Sequence, residues 1–152
     1  MATSYSVHIE APVEKVFDFW KDPRNWPRMA EKSPVEVTQA YVPPEGVGTF
    51  HVAIFTLLPG IRMEYFGVFT EFVPNERIVD KVSLAFEGTW TYTFAAEGSG
   101  TRLTMHGEPR SFWRLWPFDT LIDRVERLGY ERYMPRLREL LEESGAPAKV
   151  AS

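Results

Sequence analysis

Hydrophobic and polar residues alternate with a period of two in seven segments of the chain, which indicates β-strands that are buried on one face. The first alternating segment ends at Ile9, and the others follow residue 33, separated by short turns that contain glycine and proline. We predict strands at residues 5–9, 34–42, 49–56, 61–72, 77–86, 89–96 and 101–108. Short turns between consecutive strands predict antiparallel pairing.

Two segments follow the helical period instead. Pro12 suits the first turn of a helix, and the apolar residues Val13, Val16, Phe17 and Trp20 follow it on one helical face. Apolar residues also recur on one stripe through residues 117–143, which predicts a second helix of about 25 residues, nearly 40 Å long. The interior Pro135 should kink this long helix.

The order of these elements predicts the fold class. We expect an α+β domain in residues 1–144, in which a curved seven-stranded antiparallel sheet wraps around the long C-terminal helix. Two short helices should follow the first strand, and residues 145–152 should form a flexible tail.

The turn lengths predict which face of each strand is buried. An even loop between strands three and four places Phe50, Val52 and Ile54 on the inner face, and His51 on the outer face with Thr49, Ala53 and Phe55. The same parity places Tyr65, Gly67 and Phe69 of strand four on the inner face.

The inner face continues across strands five to seven. The turn at Pro74-Asn75 sets Phe69 opposite Asp80 and Gly67 opposite Val82, and the last hairpin sets Trp90 opposite Gly107. Strands five and six keep this parity only with an irregularity, which we place as a β-bulge at Gly88.

Three glycines occupy inward positions, where a missing side chain could create a cavity. They are Gly67, Gly107 and Gly129, the last of them on the long helix. We expect a hydrophobic cavity between the sheet and the long helix; the alternative is that neighbouring aromatic rings fill the space.

Composition narrows the classes of function. A net charge of −4 argues against nucleic-acid binding, which favours a basic face. The chain has no cysteine, no signal-peptide pattern and no apolar segment long enough to span a membrane, so we expect a cytoplasmic protein. Its three histidines, His8, His51 and His106, are dispersed and placed on the outer face, so we predict no metal site and no cofactor.

Several motifs resemble the START-like superfamily, which includes polyketide cyclase/dehydrases, birch-pollen-allergen-like proteins and lipid-transfer domains. They are the segments Val7–Phe17, Asp22–Trp26, Gly46–Thr49, Val68–Arg77 and Gly100–Thr104. The resemblance implies a helix-grip fold and binding of a small hydrophobic ligand. Because members of the superfamily include enzymes, ligand carriers and chaperone regulators, the fold alone does not fix the activity.

Asp80 is the candidate catalytic residue. A carboxyl group on an apolar inner face could act as a general acid or base in a cyclisation or dehydration. Alternatively, Asp80 lies at the rim of the sheet, or Arg77 or Lys81 compensates its charge.

The predicted ligand-binding residues line the inner face of the sheet and the facing side of the long helix. They are Tyr65, Gly67, Phe69, Val82, Trp90, Tyr92, Met105, Val125, Gly129 and Tyr133. Tyrosine hydroxyls and indole N–H groups there could donate hydrogen bonds to a ligand, although such aromatic side chains also serve as core filling.

Four aromatic residues cluster just before the long helix, at Phe112, Trp113, Trp116 and Phe118. This segment could form a lid over the cavity, or a surface that contacts a membrane or another protein. The sequence leaves monomer and homodimer open.

Three hypotheses for the function follow. The first is a binding protein for an aromatic, polyketide or lipid-like ligand, and the second is a cyclase or dehydratase that uses Asp80. The third is an adaptor of the chaperone-regulating kind, which acts through its surface.

Overall fold

The computed structural model describes residues 3–29, 35–84, 87–110 and 118–143. The strands are β1 (Thr3–Ile9), β2 (Val35–Tyr41), β3 (Phe50–Leu58), β4 (Ile61–Val73), β5 (Arg77–Leu84), β6 (Glu87–Glu97) and β7 (Gly100–Arg110), and the helices are α1 (Val13–Trp20), a 3-10 helix (Pro23–Met29) and α2 (Phe118–Glu143). The ends of the strands agree with the sequence prediction to within about two residues, as is usual for element boundaries.

The seven strands form one antiparallel sheet in the order β1-β7-β6-β5-β4-β3-β2. Consecutive strands from β2 to β7 are neighbours because short turns join them, and β1 returns to pair with β7. The predicted α+β architecture is therefore confirmed. The helices α1 and Pro23–Met29 connect the two edge strands, β1 and β2.

Aromatic contacts hold α1 against the inner face of the sheet. The Phe17 ring meets Phe72 and Phe94 edge-on, each at a centroid distance of 5.1 Å. Trp20 packs against Tyr92 of β6 at 5.0 Å. Burial of these large side chains supplies much of the hydrophobic stabilisation at this end of the domain.

The sheet-facing stripe of α2 is buried at Met134, Leu137 and Leu141. Tyr130 stacks on Tyr5 of β1 at a centroid distance of 5.6 Å. Near the C-terminal end of α2, Glu142 accepts a hydrogen bond from the backbone N–H of Glu10, at 3.1 Å. These contacts fix the helix along the β1 edge of the sheet. None of the helices in the described ranges combines the length and the apolar character needed to cross a membrane.

Three bulges interrupt the register, in β2 between Val37 and Gln39, in β3 between Thr56 and Leu58, and in β4 between Phe69 and Glu71. Bulges bend a strand and increase its twist, which gives this half of the sheet its curvature.

The bulge in β3 overturns the predicted face of that strand. Leu58 pairs with Ile61, as an even loop requires, but beyond the bulge His51 pairs with Gly67 and Ala53 pairs with Tyr65. His51 and Ala53, with Thr49, are therefore on the inner face and fully buried, whereas Phe50, Val52 and Ile54 turn to the outer face and are half-buried. The placement of His51 on the outer face was wrong, because one extra residue inverts a strand.

The other registers largely agree with the prediction. Phe69 pairs with Asp80, and Trp90 pairs with Gly107, as expected. The bulge that we placed at Gly88 was wrong, because Gly88 pairs with Val82 in an unbroken register.

The predicted tail at residues 145–152 lies outside the described residues, as does the predicted aromatic segment 112–118 except for Phe118, the first residue of α2. The helix α2 includes Pro135 within its bounds.

Candidate functional site

A histidine and a carboxylate meet on the inner face of the sheet, although they come from strands that are not neighbours. His51 lies on β3 and Asp80 on β5, with β4 between them. Their side chains reach across β4, and Nε2 of His51 lies 2.9 Å from Oδ2 of Asp80. Because adjacent strands are ~4.8 Å apart, the two backbones are roughly 10 Å apart and only side chains that face each other can close the gap.

Gly67 of β4 makes this contact possible. It pairs with His51 on one side and lies beside Asp80 on the other, directly beneath the hydrogen bond. A Cβ at residue 67 would lie 2.5 Å from Oδ1 of Asp80 and closer still to Nε2 of His51, distances that real Cβ atoms do not show. Any larger residue on β4 would therefore separate the pair.

The pair is enclosed by aromatic rings. The exposed fractions of the His51 and Asp80 side chains are 0% and 2%. Trp26 of the 3-10 helix meets the His51 ring edge-on at a centroid distance of 4.8 Å, and the rings of Tyr65 and Phe69 lie at 6.1 Å. An apolar enclosure of this kind strengthens any hydrogen bond made inside it.

Two of the four side-chain nitrogen and oxygen atoms of the pair make no hydrogen bond to the described residues. Nδ1 of His51 and Oδ1 of Asp80 are buried and have no hydrogen-bond partner there. A buried polar atom without a partner costs about 1–3 kcal/mol, so two such atoms in one buried pair require an explanation. Nε1 of Trp20 is also buried and has no hydrogen-bond partner among the described residues. The ring centroids of Trp20 and Trp26 are 5.9 Å apart.

Tyr65 belongs to the same cluster. Burial raises the pKa of its phenol well above the usual range, and the charge of Asp80 and the hydroxyl of Tyr133 raise it further. Tyr133 comes from α2, so the cluster joins β3, β4, β5 and the long helix. The hydroxyl of Tyr65 therefore remains protonated and can donate a hydrogen bond at physiological pH.

The structure places Asp80 inside the sheet rather than at its rim. The basic residues that we considered as its partners lie elsewhere, since Arg77 pairs with Glu71 and Lys81 is exposed. The sequence analysis did not predict His51 as the partner of Asp80, and it did not predict that the ring of Trp26 covers His51. One feature of the sequence could have indicated the contact. Gly67 lies on the strand between His51 and Asp80, and a glycine there leaves room for the two side chains to meet.

The described members of the predicted ligand-binding set lie on the elements to which the sequence analysis assigned them. The inner face of the sheet carries Tyr65, Gly67, Phe69, Val82, Trp90, Tyr92 and Met105, and α2 carries Gly129 and Tyr133. The side chain of Val125 is outside the described part of the chain. Contact of these residues with a ligand stays a prediction.

Two of the three inward glycines do not open a cavity. The space above Gly67 holds the His51–Asp80 pair, and the space above Gly107 holds the indole of Trp90, whose Nε1 would lie 2.8 Å from an added Cβ. Gly129 differs, because the only described atom within 4 Å of an added Cβ belongs to Tyr133, at 3.5 Å.

Comparison with known proteins relates the chain to one family. Residues 2–142 match the sequence model of a family described as polyketide cyclase/dehydrase and lipid transport. A search of curated proteins finds no match.

Solved structures share the fold. TTHA0849 from Thermus thermophilus superposes with a TM-score of 0.76 at 18% identity, covering 96% of this chain and 100% of that one. A START superfamily protein from Mycobacterium smegmatis gives a TM-score of 0.74 at 13% identity, with 94% and 98% covered. A protein from Chromobacterium violaceum gives 0.71 at 20% identity, with 93% and 98% covered. Identities this low show a common fold and nothing about a common ligand.

Proposed function

Because the chain belongs to the polyketide cyclase/dehydrase and lipid transport family, as its START-like motifs implied, we propose that it binds a small hydrophobic ligand between the inner face of the sheet and α2. This layer is lined by aromatic and aliphatic side chains from β4 to β7. Ligand sites are typically apolar with a few polar groups that fix the orientation of the ligand.

One observation carries the proposal. On the same inner face, beneath Trp26, the buried His51–Asp80 pair keeps two polar atoms that no described residue satisfies. A purely structural core would have little reason to retain them, since an apolar pair of similar volume avoids their desolvation cost. A ligand with a matching polar group would satisfy them.

Binding can be tested by native mass spectrometry, followed by uptake of a fluorescent hydrophobic naphthalene dye. We expect either a co-purified ligand or saturable dye uptake with energy transfer from the tryptophans. Gly129 lies one and two helical turns from Tyr133 and the buried Leu137, on the sheet-facing stripe. Gly129→Leu should therefore fill the layer and weaken dye binding at least tenfold.

The matched control is Glu131→Leu, which adds the same side chain at an exposed position of α2. It should leave dye binding unchanged. A bare protein that takes up no dye would contradict the proposal, as would equal weakening by both variants.

The same pair favours a second candidate function, an acid–base enzyme of the cyclase or dehydratase type. With its Nε2–H held by Asp80, His51 could remove a proton from the carbon next to a ligand carbonyl, and the C–H electron pair would form an enolate. In a dehydration, the enolate would expel a β-hydroxyl group, which takes the proton back from Nδ1 and leaves as water. The histidine is regenerated, and the net change is loss of water.

Hydrogen–deuterium exchange tests this chemistry without knowledge of the natural substrate. We expect the protein to accelerate exchange at the methyl group of 2-acetylnaphthalene in D2O, followed by mass spectrometry. Asp80→Asn should keep affinity for the ketone but reduce the exchange rate by about 10²–10⁴-fold. If the bound ketone exchanges no faster than in buffer, the enzyme hypothesis is wrong. The proposal of ligand binding would remain.

A further inference from the structure

We infer that the site selects ligands that carry a hydroxyl group, a phenol or an enol, and that this hydroxyl donates a hydrogen bond to Nδ1 of His51. The inference rests on the proposed ligand binding and specifies its chemistry. It follows from the protonation state that the pair imposes, from the enclosing rings and from the charge of Asp80.

The hydrogen bond to Asp80 fixes the tautomer of His51. Nε2 of His51 lies 2.9 Å from Oδ2 of Asp80. An ionised carboxylate only accepts hydrogen bonds, so a neutral imidazole in this position carries its proton on Nε2. Nδ1 is then a bare acceptor with no described partner. A buried acceptor of this kind is satisfied by a donor, and a hydroxyl group is the smallest neutral donor an organic ligand can offer.

The enclosure favours an aromatic or conjugated body behind that hydroxyl. His51 lies among the rings of Trp26, Tyr65 and Phe69, whose centroids are within 4.8–6.1 Å of its own. A planar ligand can pack edge-on or offset against such rings. A carboxylate ligand is disfavoured, because the buried charge of Asp80 would repel it.

Access to Nδ1 requires one of the covering rings to move, since His51 has no exposed surface. Trp26 is the ring best placed to do so. It is only partly buried, it lies on a short 3-10 helix, and its indole is held by one hydrogen bond from Nε1 to the backbone oxygen of Trp20, at 3.0 Å. Hydrogen bonds in a 3-10 helix have poorer geometry than those in an α-helix, so we expect this segment to move more readily than α1.

Two ligands of nearly equal shape separate this inference from the proposed function. 2-Naphthol and 2-methylnaphthalene differ only by a hydroxyl in place of a methyl group. An apolar layer alone would prefer the methyl compound, because water solvates it less well. We expect the wild-type protein to bind 2-naphthol about tenfold more tightly, measured by calorimetry or tryptophan fluorescence.

Asp80→Asn is the matching variant, since it keeps the shape of the side chain. Its amide can donate to Nε2, which moves the imidazole proton to Nδ1 and converts the acceptor into a donor, as in a triad that loses its carboxylate. We expect this variant to lose the preference for 2-naphthol over 2-methylnaphthalene and to keep its affinity for the methyl compound.

Nitrogen NMR of the wild-type protein gives a result that does not depend on any variant. We expect His51 to be protonated on Nε2 in the free protein, and its Nδ1 resonance to shift when 2-naphthol binds. Protonation on Nδ1 in the free protein would overturn the inference. So would equal or stronger binding of 2-methylnaphthalene, which would leave the proposed ligand binding intact. Binding of neither compound would overturn both.

Discussion

Gly67→Ala is expected to destabilise the protein by ~3–5 kcal/mol, a large effect for the addition of one methyl group. The new Cβ would lie 2.5 Å from Oδ1 of Asp80 and closer to Nε2 of His51, so the two side chains must separate. Overpacking alone typically costs about 1–3 kcal/mol, and separating the buried pair adds part of the roughly 3–5 kcal/mol that complete loss of a partner costs. Unfolding in urea, followed by circular dichroism, gives the free energy directly.

Gly129→Ala is the control for this experiment. It makes the same substitution in α2, where the only described neighbour of an added Cβ is 3.5 Å away. Alanine should there stabilise the protein by roughly 0.5–1 kcal/mol, because it is the better helix former. If the two variants had similar stability, the His51–Asp80 contact could not pass over Gly67 as described.

The hydrophobic pattern was sufficient to predict the sheet and most of its registers. Alternation and turn parity placed Asp80 opposite Phe69 and Trp90 opposite Gly107, and both pairings are present. The registers of these strands are predictable because their two faces differ strongly in hydrophobicity. Thr91 and Thr93, for example, alternate with the buried Trp90 and Tyr92.

The same reasoning failed on β3 for a physical reason. Large apolar side chains lie on its outer face, so the hydrophobic pattern favours that face, and the bulge that adds one residue after Thr56 inverts the strand without changing the pattern. The face with Phe50 and Val52 looked more hydrophobic than the face with His51 and Ala53, yet the second is the buried one. The buried face carries a specific contact, the hydrogen bond between His51 and Asp80, and hydrophobic periodicity contains no signal for such a contact.

The inward glycines show a related limit. A glycine on an inner face indicates that space is required above the backbone. The sequence does not indicate whether a ligand or another side chain of the protein occupies that space. At Gly67 and Gly107 the occupants are side chains of the protein itself, the His51–Asp80 pair and the indole of Trp90. The proposed ligand therefore has to interact with these occupants rather than replace them.

His51→Phe is expected to cost ~3–5 kcal/mol, because it removes both imidazole nitrogens and leaves Asp80 buried without its partner. Only 2% of the Asp80 side chain is exposed, so water cannot readily replace the lost hydrogen bond. Adding Asp80→Leu to His51→Phe should restore much of the loss, since the double variant has no buried charge to satisfy. Urea unfolding of the wild type, both single variants and the double variant forms a complete thermodynamic cycle.

The comparison variant is His106→Phe, which makes the same replacement on β7, where 42% of the histidine side chain is exposed. A change at an exposed position without buried partners should stay within about 0.5 kcal/mol of the wild type. Additive losses in the cycle would mean that His51 and Asp80 do not interact, and would remove the basis for the acceptor at Nδ1. Strong coupling would show that the two side chains interact. If the double variant also binds 2-naphthol more weakly, the pair serves ligand binding, although an apolar pair would avoid the free-energy cost of burying polar groups.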